Sequence, residues 1–231
     1  MIKKLIKKFK GKKFIVGIIG LGYVGLPVCE RFASAKIEVI GIDSDKLKIA
    51  KLKKGQSYIN SEKIKNFKNL KKKKKNISDN YQILKRCDVI LICLPTPLIG
   101  LKPDMSYIFK CAKKLRKNLK PNHVVILEST VYPGATLEFA KKLNTRKFTI
   151  GEDLFLGYSP ERENPGDKNF SYKTTPKVIS GFSKKCLKLV NLIYSHIVRN
   201  RVIAKEIDAA ELSKLLENMY RSVNIGLVNE L

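Results

Sequence analysis

Residues 13–43 decide the fold, and they read KFIVGIIGLGYVGLPVCERFASAKIEVIGID. An apolar run leads into a G-x-G-x-x-G sequence made by Gly20, Gly22 and Gly25, and a helical stretch and a second apolar run follow. Three glycines with this spacing between a strand and a helix are typical of a dinucleotide-binding turn. The first permits the tight turn, the second lets a pyrophosphate approach the backbone, and the third lets the helix pack closely on the strand. The stretch therefore predicts a dinucleotide at the N-terminus of the first helix after the turn.

The second apolar run ends in an acid, Asp43. An acid at this place accepts hydrogen bonds from the adenosine ribose hydroxyls of NAD, and it repels the 2'-phosphate of NADP. Lys48 follows on the next helical stretch, and its ammonium could tolerate a phosphate or equally bind a ribose hydroxyl. We therefore expect NAD as the cofactor.

Beyond this unit, short apolar runs alternate with longer helical stretches, as is typical of an α/β fold around buried parallel strands. We expect a Rossmann-like doubly wound parallel sheet, followed by the start of a long central helix. The predicted strands are 14–19, 38–42, 89–94, 124–127, 154–158 and 177–180. The predicted helices are 25–35, 44–54, 105–118, 135–143 and 184–195.

Three segments are expected along the chain. Residues 1–13 form a basic extension with apolar residues at helical spacing, which we interpret as a short helix docked beside the first strand. A helix lying on a membrane surface is the alternative. Residues 14–203 form the NAD-binding domain, and residues 204–231 form the start of a central helix that is truncated. The leucine face of that helix predicts a homodimer of the full-length protein.

The composition limits the classes of function. The chain carries a net charge of +27, but its lysines are spread over every segment, and the dense run 71–75 has no interleaved aromatic residues. We interpret the lysines as residues of solvent-exposed faces. Attraction of an anionic metabolite is the second interpretation of the charge, and nucleic-acid binding is the last. No apolar run is long enough to span a membrane and no secretory leader is evident, so we expect a cytoplasmic protein without stable membrane association. The five cysteines lack C-x-x-C spacing, so we expect no metal site.

Two threonines follow predicted strands directly. Thr96 stands in CLPTPL and Thr130 in LESTVYPG, each after a buried apolar run. In open parallel sheets, ligands bind outside the carboxyl ends of the strands, so both hydroxyls are candidates for contacting cofactor or substrate. Taken alone, each threonine is equally compatible with a turn or a cap.

Two polar clusters come later in the chain. The loop 159–166 reads SPERENPG and contains an acid–base cluster of Glu161, Arg162 and Glu163. On the last helix, the spacing i, i+4, i+7 places three polar residues on one face: Lys214, Asn218 and Arg221. A solvated surface is the alternative explanation for such a face.

Five segments, in this order, resemble the UDP-glucose/GDP-mannose dehydrogenase family: GLGYVGLP, CLPTPL, LESTVYPG, YSPERENPGD and AAELSKLLENMYRSVNIGLVNEL. The resemblance covers essentially the whole chain from Phe14 onward. SPERENPG and the arginine of ENMYR resemble the branch that oxidises UDP-N-acetylhexosamines, and UDP-N-acetylglucosamine 6-dehydrogenases most of all.

The resemblance implies roles for individual residues. The cofactor-binding set is Gly20, Gly22, Tyr23, Val24, Gly25, Asp43, Lys48, Thr96 and Thr130. The catalytic set is Glu161, Lys214, Asn218 and Thr130, in which the lysine and the asparagine stabilise an oxyanion and place a water. The substrate-binding set is Glu161, Arg162, Glu163, Lys214, Asn218 and Arg221. The role of Glu163 stays open, because the UDP-glucose branch tends to carry its second glutamate four positions after the first.

The family reaction converts the C6 alcohol of a nucleotide sugar to a carboxylate and passes two hydrides to two NAD molecules. A cysteine captures the intermediate aldehyde as a thiohemiacetal, and in the family it lies in a glycine-rich loop well after the central helix. None of the five cysteines matches that loop. We therefore expect an enzyme of surface polysaccharide biosynthesis whose chain, ending at Leu231, is inactive by itself.

Three other functions remain open at this point. The parent enzyme could be a UDP-glucose or GDP-mannose 6-dehydrogenase, or the chain could be a non-catalytic NAD-binding fragment. Another dehydrogenase with the same nucleotide fold, such as a 3-hydroxyacid type, would not need the SPERENPGD segment.

Overall fold

The computed structural model describes residues 2–56, 58, 76–143, 147–161 and 175–231. The described helices are α1 Ile2–Lys10, α2 Gly25–Ser34, α3 Lys46–Lys54, α4 Ser106–Leu115, α5 Ala135–Leu143, α6 Lys184–Tyr194 and α7 Ile207–Glu230, with a 3-10 helix at Tyr81–Arg86. The described strands are β1 Ile15–Ile19, β2 Glu38–Ile42, β3 Ile77–Ser78, β4 Val89–Ile92, β5 Leu98–Ile99, β6 Lys102–Pro103, β7 Val124–Leu127, β8 Phe155–Tyr158, β9 Lys177–Gly181 and β10 Arg201–Ile203. Within these ranges, no helix is long and apolar enough to cross a membrane.

Eight strands form one sheet in the order β3-β2-β1-β4-β7-β8-β9-β10. Along this order, each strand from β3 across β2, β1, β4 and β7 to β8 is parallel to its neighbour. Strands β8 and β9 are antiparallel, and β9 and β10 are again parallel to each other. The strand order reverses between β1 and β4, which is where doubly wound folds open a ligand crevice. The predicted Rossmann-like fold is thus confirmed, with β9 and β10 running opposite to the parallel strands.

The register of the sheet gathers the candidate site residues at one edge. Ile19 is paired with Ile42 and Ile92, Ile92 with Leu127, and Leu127 with Tyr158. The residues that follow these positions therefore leave the sheet side by side. We call this the carboxyl edge of the sheet and the opposite one the amino edge.

Apolar side chains cover both faces of the sheet. One buried cluster joins β1 and β4 to α1, α2 and α6, and the other joins the opposite face to α4 and α5. In α1, Leu5 and Phe9 are buried, and the Phe9 ring lies 4.9 Å from that of Phe14. The apolar face of the basic extension is therefore covered by the domain, in agreement with the interpretation of a docked helix.

Element ends differ from the sequence predictions by a few residues. The helix predicted from residue 44 begins at Lys46, because Asp45 caps it by accepting hydrogen bonds from the N–H groups of Leu47 and Lys48. The helix predicted over 105–118 ends at Leu115. The short strands β3 and β10 were not predicted, since two or three residues carry no periodic signal.

Candidate cofactor and active site

In the glycine turn between β1 and α2, packing of the protein requires glycine at two of the three positions and leaves the third position open. Gly20 has φ +91°, and a Cβ there would lie 2.4 Å from the carbonyl oxygen of Cys93. A Cβ on Gly25 would lie 1.8 Å from the carbonyl oxygen of Gly20. A Cβ on Gly22 would meet nothing within 4 Å. Packing therefore accounts for the first and third glycines, whereas the space above Gly22 is free for a ligand.

Helix α2 points its N-terminus at this space. Its first turn contains no acidic residue and its N-cap, Val24, makes no side-chain hydrogen bond. The backbone N–H groups of a first turn favour an anion, and no side chain of the helix competes for them. Tyr23 is 68% exposed and so leaves the approach to the turn accessible. These features fit the pyrophosphate of a dinucleotide.

Asp43 ties the glycine turn to the end of β2. Its carboxylate accepts hydrogen bonds from the N–H of Leu21 at 2.8 Å and from the N–H of Asp45 at 2.9 Å. The side chain is buried, but a carboxylate with two such partners retains lone pairs for a ribose hydroxyl. The sequence had identified the acid and not its second task, which is to hold the turn in place.

Tyr58 is a neighbour of this subsite that sequence reasoning missed. Its hydroxyl donates a hydrogen bond to the carbonyl oxygen of Leu21, and burial raises its pKa. The ammonium of Lys48 lies 5.9 Å from the centre of the Tyr58 ring and 3.9 Å from the carboxylate of Asp45. Lys48 thus lies near Tyr58, which bonds to the glycine turn, on the helix that follows Asp43.

The two predicted threonines lie together at the carboxyl edge. The hydroxyl of Thr96, after β4, donates a hydrogen bond of 2.6 Å to the carbonyl oxygen of Thr130, after β7. The hydroxyl of Ser129 donates to the carbonyl oxygen of Leu94 at 2.6 Å, which joins the same two segments again. Tyr158, the last residue of β8, donates to the carbonyl oxygen of Ser129 at 3.2 Å. The ends of three adjacent strands are therefore fastened to one another around Thr130.

A buried charged cluster underlies this edge, and sequence reasoning missed it as well. The Lys177 ammonium donates hydrogen bonds to Glu128 at 3.2 Å and to the carbonyl oxygen of Pro160 at 3.1 Å. The hydroxyl of Tyr194 donates to the other oxygen of Glu128 at 2.5 Å. Glu128 directly precedes Ser129 and Thr130, and its place after an apolar run was the one sequence signal available.

The start of α7 is joined to the same edge by Glu211. This fully buried carboxylate accepts hydrogen bonds from the N–H of Gly134 at 2.6 Å, the N–H of Thr136 at 2.8 Å and the hydroxyl of Thr136 at 2.5 Å. It thereby satisfies donors in the first turn of α5. Burial raises the pKa of Glu211, and the hydrogen bonds from Thr136 oppose that shift.

The polar face predicted on the last helix begins at this attachment. Glu211, Lys214, Asn218 and Arg221 follow one another every three or four residues and so share a face of α7. Lys214 is half-buried, whereas Asn218 and Arg221 are exposed. Glu161 is described and lies just after Pro160. Arg162 and Glu163 lie outside the described residues.

The cysteines are unsuited to act as nucleophiles. All five are free and buried. Burial raises the pKa of Cys87 and of Cys111 to about 12, and it raises the pKa of Cys29 and of Cys93 as well. A thiol with a raised pKa supplies little thiolate near neutral pH. In the part of the chain that the structure describes, no three or more His, Cys, Asp or Glu residues form a group that could hold a metal ion.

A profile of the UDP-glucose/GDP-mannose dehydrogenase family, NAD binding domain, matches residues 14–198. The chain belongs to this family. Protein CapL of Staphylococcus aureus is 40% identical over 222 residues, covering 94% of this chain and 51% of that protein. A UDP-N-acetyl-D-glucosamine 6-dehydrogenase of Pseudomonas aeruginosa is 39% identical over 229 residues, covering 95% of this chain and 52% of that protein.

A solved structure shares the fold described above. The UDP-D-ManNAc dehydrogenase of Pyrococcus horikoshii superposes with a TM-score of 0.88 at 33% identity, covering 94% of this chain and 52% of that one. The chain spans about half the length of the curated relatives it matches. As a member of this dehydrogenase family with an NAD-binding domain, the chain has NAD as its cofactor, and the turn with its open space above Gly22 fits that group.

Proposed function

We propose that this chain is the NAD-binding part of an enzyme that oxidises C6 of a UDP-N-acetylhexosamine to the uronic acid, for surface polysaccharide biosynthesis. The carrying observation is the carboxyl edge itself. There, an open dinucleotide turn, the paired Thr96 and Thr130, and the first turns of α7 meet within one domain. Identity of 39% to a UDP-N-acetyl-D-glucosamine 6-dehydrogenase over nearly the whole chain supports the choice of sugar.

The residues of this chain would share the work as follows. Gly20, Gly22 and Gly25, with Tyr23 and Val24 between them, hold the pyrophosphate at the N-terminus of α2. Asp43 and Lys48 bind the adenosine ribose. Thr96 and Thr130 line the path to the nicotinamide, which accepts a hydride when bound.

The chemistry at the sugar is assigned to three residues. Glu161 moves a proton to or from the reacting oxygen, and its position in the chain shortly after the end of β8 supports this role. Lys214 supplies positive charge where oxygen becomes negative, and Asn218 places a water. Arg162, Glu163 and Arg221 complete the substrate set.

The test is a panel of nucleotide sugars. The chain continued to the length of its relatives is incubated with NAD and with UDP-N-acetylglucosamine, UDP-N-acetylmannosamine, UDP-glucose or GDP-mannose, and NADH is followed. We expect turnover with an N-acetylated sugar and at least tenfold less with the others. Preference for UDP-glucose or GDP-mannose would contradict the proposed substrate class.

A second candidate is an NAD-binding module without turnover. The observation that favours it for this chain alone is the burial of all five cysteines, which leaves the second oxidation without a nucleophile among them. We therefore expect residues 1–231 to bind NAD and to form no uronic acid from UDP-N-acetylglucosamine. Measurable formation of the acid by this chain would show that the second oxidation proceeds without the family's cysteine.

We further propose a homodimer of the full-length enzyme in the cytoplasm. Exposed apolar side chains recur along α7, namely Leu212, Leu216, Met219 and Val223. Covering such a face requires a partner surface, and a second copy supplies an identical one. Five free thiols suit a reducing compartment. Sedimentation of the full-length enzyme as a monomer would contradict the dimer.

A further inference from the structure

Lys177 joins two segments of the candidate site that are far apart in sequence. Its ammonium bonds to Glu128, which directly precedes Ser129 and Thr130, and to the carbonyl of Pro160, which directly precedes Glu161. The contacts span 49 and 17 positions of the chain. One ammonium thus bonds to a side chain in the segment of Thr130 and to a backbone carbonyl next to Glu161, the two residues that the proposed function places at the nicotinamide and at the sugar.

The cluster around this ammonium is built entirely inside the protein. The side chain of Lys177 is 3% exposed and that of Glu128 is 0% exposed. Tyr194 bonds to the second oxygen of Glu128, and its ring lies 5.1 Å from the Lys177 nitrogen. The hydroxyl of Ser159 also donates to the carbonyl oxygen of Val178 at 2.7 Å, so the segment 159–160 is bonded to β9 at two points.

Stability alone is a poor reason for such a pair. Removing two charges from water costs about as much as their attraction returns, and apolar side chains of similar size often replace a buried pair without loss. What a charge pair adds over apolar packing is direction, because its hydrogen bonds fix the positions of particular oxygens. Here those oxygens belong to Glu128 and Pro160, at the bases of the two site segments.

We propose that Lys177 is a positioning residue for the oxidation, which sets Glu161 at a fixed place relative to Thr130. The proposal rests on the proposed function, in which Glu161 handles a proton and Thr130 lines the nicotinamide path. Lys177 acts through Glu161 and touches neither substrate nor cofactor. The ion pair with Glu128 fixes the position of the ammonium, and the hydrogen bond to the Pro160 carbonyl positions Glu161.

The test compares three enzymes of full length. The double variant Glu128→Gln, Lys177→Met removes both charges together, so that neither is left buried alone and the fold is kept. We expect its kcat to fall about tenfold to a hundredfold, with KM for NAD unchanged within about twofold, because the glycine turn is untouched. Lys8→Met is the matched control, since it breaks another lysine–carboxylate pair, at the amino edge of the sheet, and should leave kcat unchanged.

A cycle with Glu161→Gln separates positioning from general damage. If Lys177 acts through Glu161, adding the double variant to Glu161→Gln lowers kcat by no more than about twofold further, since Glu161 no longer has a proton to place. Multiplication of the two losses would overturn the proposal, as would a double variant with unchanged kcat. Both results leave the proposed function intact.

The proposed function fails in a different way. If Glu161→Gln has full activity, the assignment of Glu161 is wrong and so is the route by which Lys177 would act. If the wild-type enzyme oxidises no UDP-sugar, hydrogen exchange still decides the structural part. Peptides containing residues 159–161 should exchange at least tenfold faster in the double variant than in Lys8→Met, and equal rates would overturn the proposal.

Discussion

Two lysine–carboxylate pairs flank the central strands at opposite edges of the sheet. Lys8 meets Asp88, which precedes β4, at 2.5 Å with the lysine side chain 41% exposed. Lys177 meets Glu128, which follows β7, at 3.2 Å with both side chains buried. The shorter pair fastens a terminal helix at the amino edge, and the longer pair underlies the candidate site. The nitrogen–oxygen distance of an ion pair therefore does not indicate its role, whereas the burial of the pair and the residues around it do.

The largest effect is expected at the carboxyl edge, at Gly22. Replacement by valine should abolish NAD binding, a loss of at least a hundredfold in affinity, and leave the fold intact, because its side chain fills only the space above the turn. Calorimetry measures the binding and circular dichroism the fold. Gly25→Ala is the contrast, since its Cβ would collide with the Gly20 carbonyl and destabilise the domain. Normal NAD binding by Gly22→Val would move the cofactor site elsewhere.

The second difference concerns stability. Lys177→Met alone should lower the free energy of unfolding by about 3–5 kcal/mol, because it leaves the Glu128 carboxylate buried without its ammonium. Lys8→Met should cost less than about 1 kcal/mol, since water screens an exposed pair. Urea unfolding of both variants measures the gap. Similar losses for the two would erase the contrast between the edges.

A smaller effect is expected for Lys214→Ala in the full-length enzyme. If Lys214 stabilises an oxyanion as proposed, its loss should lower turnover about a hundredfold, without changing NAD affinity. Steady-state kinetics with a UDP-N-acetylhexosamine supplies the measurement. Lys205→Ala, on a lysine that precedes α7, is the matched control. Unchanged turnover in Lys214→Ala would remove α7 from the chemistry.

The smallest effect is a change of cofactor preference. Asp43→Asn should reduce the difference in affinity between NAD and NADP to about tenfold, because it removes the charge that repels a ribose phosphate. It should also weaken NAD, since the amide offers a single acceptor where the carboxylate accepts from both Leu21 and Asp45. Calorimetry with both cofactors checks this. NADP binding as tight as NAD binding by the unaltered chain would contradict the choice of NAD.

The carboxyl edge was predictable wherever a short stretch of chain carries its own geometry. The glycine turn needs only a strand, three glycines and a helix in succession. The apolar runs before Asp43 and Thr130 end where the strands end, and the run before Thr96 ends two residues beyond its strand. Local order in the sequence was enough for these residues.

The buried charged residues that hold the carboxyl edge in place were not predictable, because their partners are distant in the sequence. Glu211 contacts residues 75 and 77 positions away, and Lys177 is one of 47 basic residues with no pattern that singles it out. No local rule pairs such positions, since packing of the whole domain decides which charges end up buried together.

Because Glu211 attaches α7 near its start, a change in the tilt of the helix would move its residues by amounts that grow with their distance from Glu211. Within the described residues, the buried positions of α7 are Ile207, Ala210 and Glu211, so this domain holds the helix by its first turns. At 1.5 Å per residue, Lys214 is about 4.5 Å and Arg221 about 15 Å from Glu211 along the axis. A tilt of about 10° would move the first by less than about 1 Å and the second by about 2.6 Å. Under the proposed function, a small tilt would therefore displace Lys214, which is proposed to act at the oxyanion, less than Arg221, which is proposed to contact the sugar nucleotide.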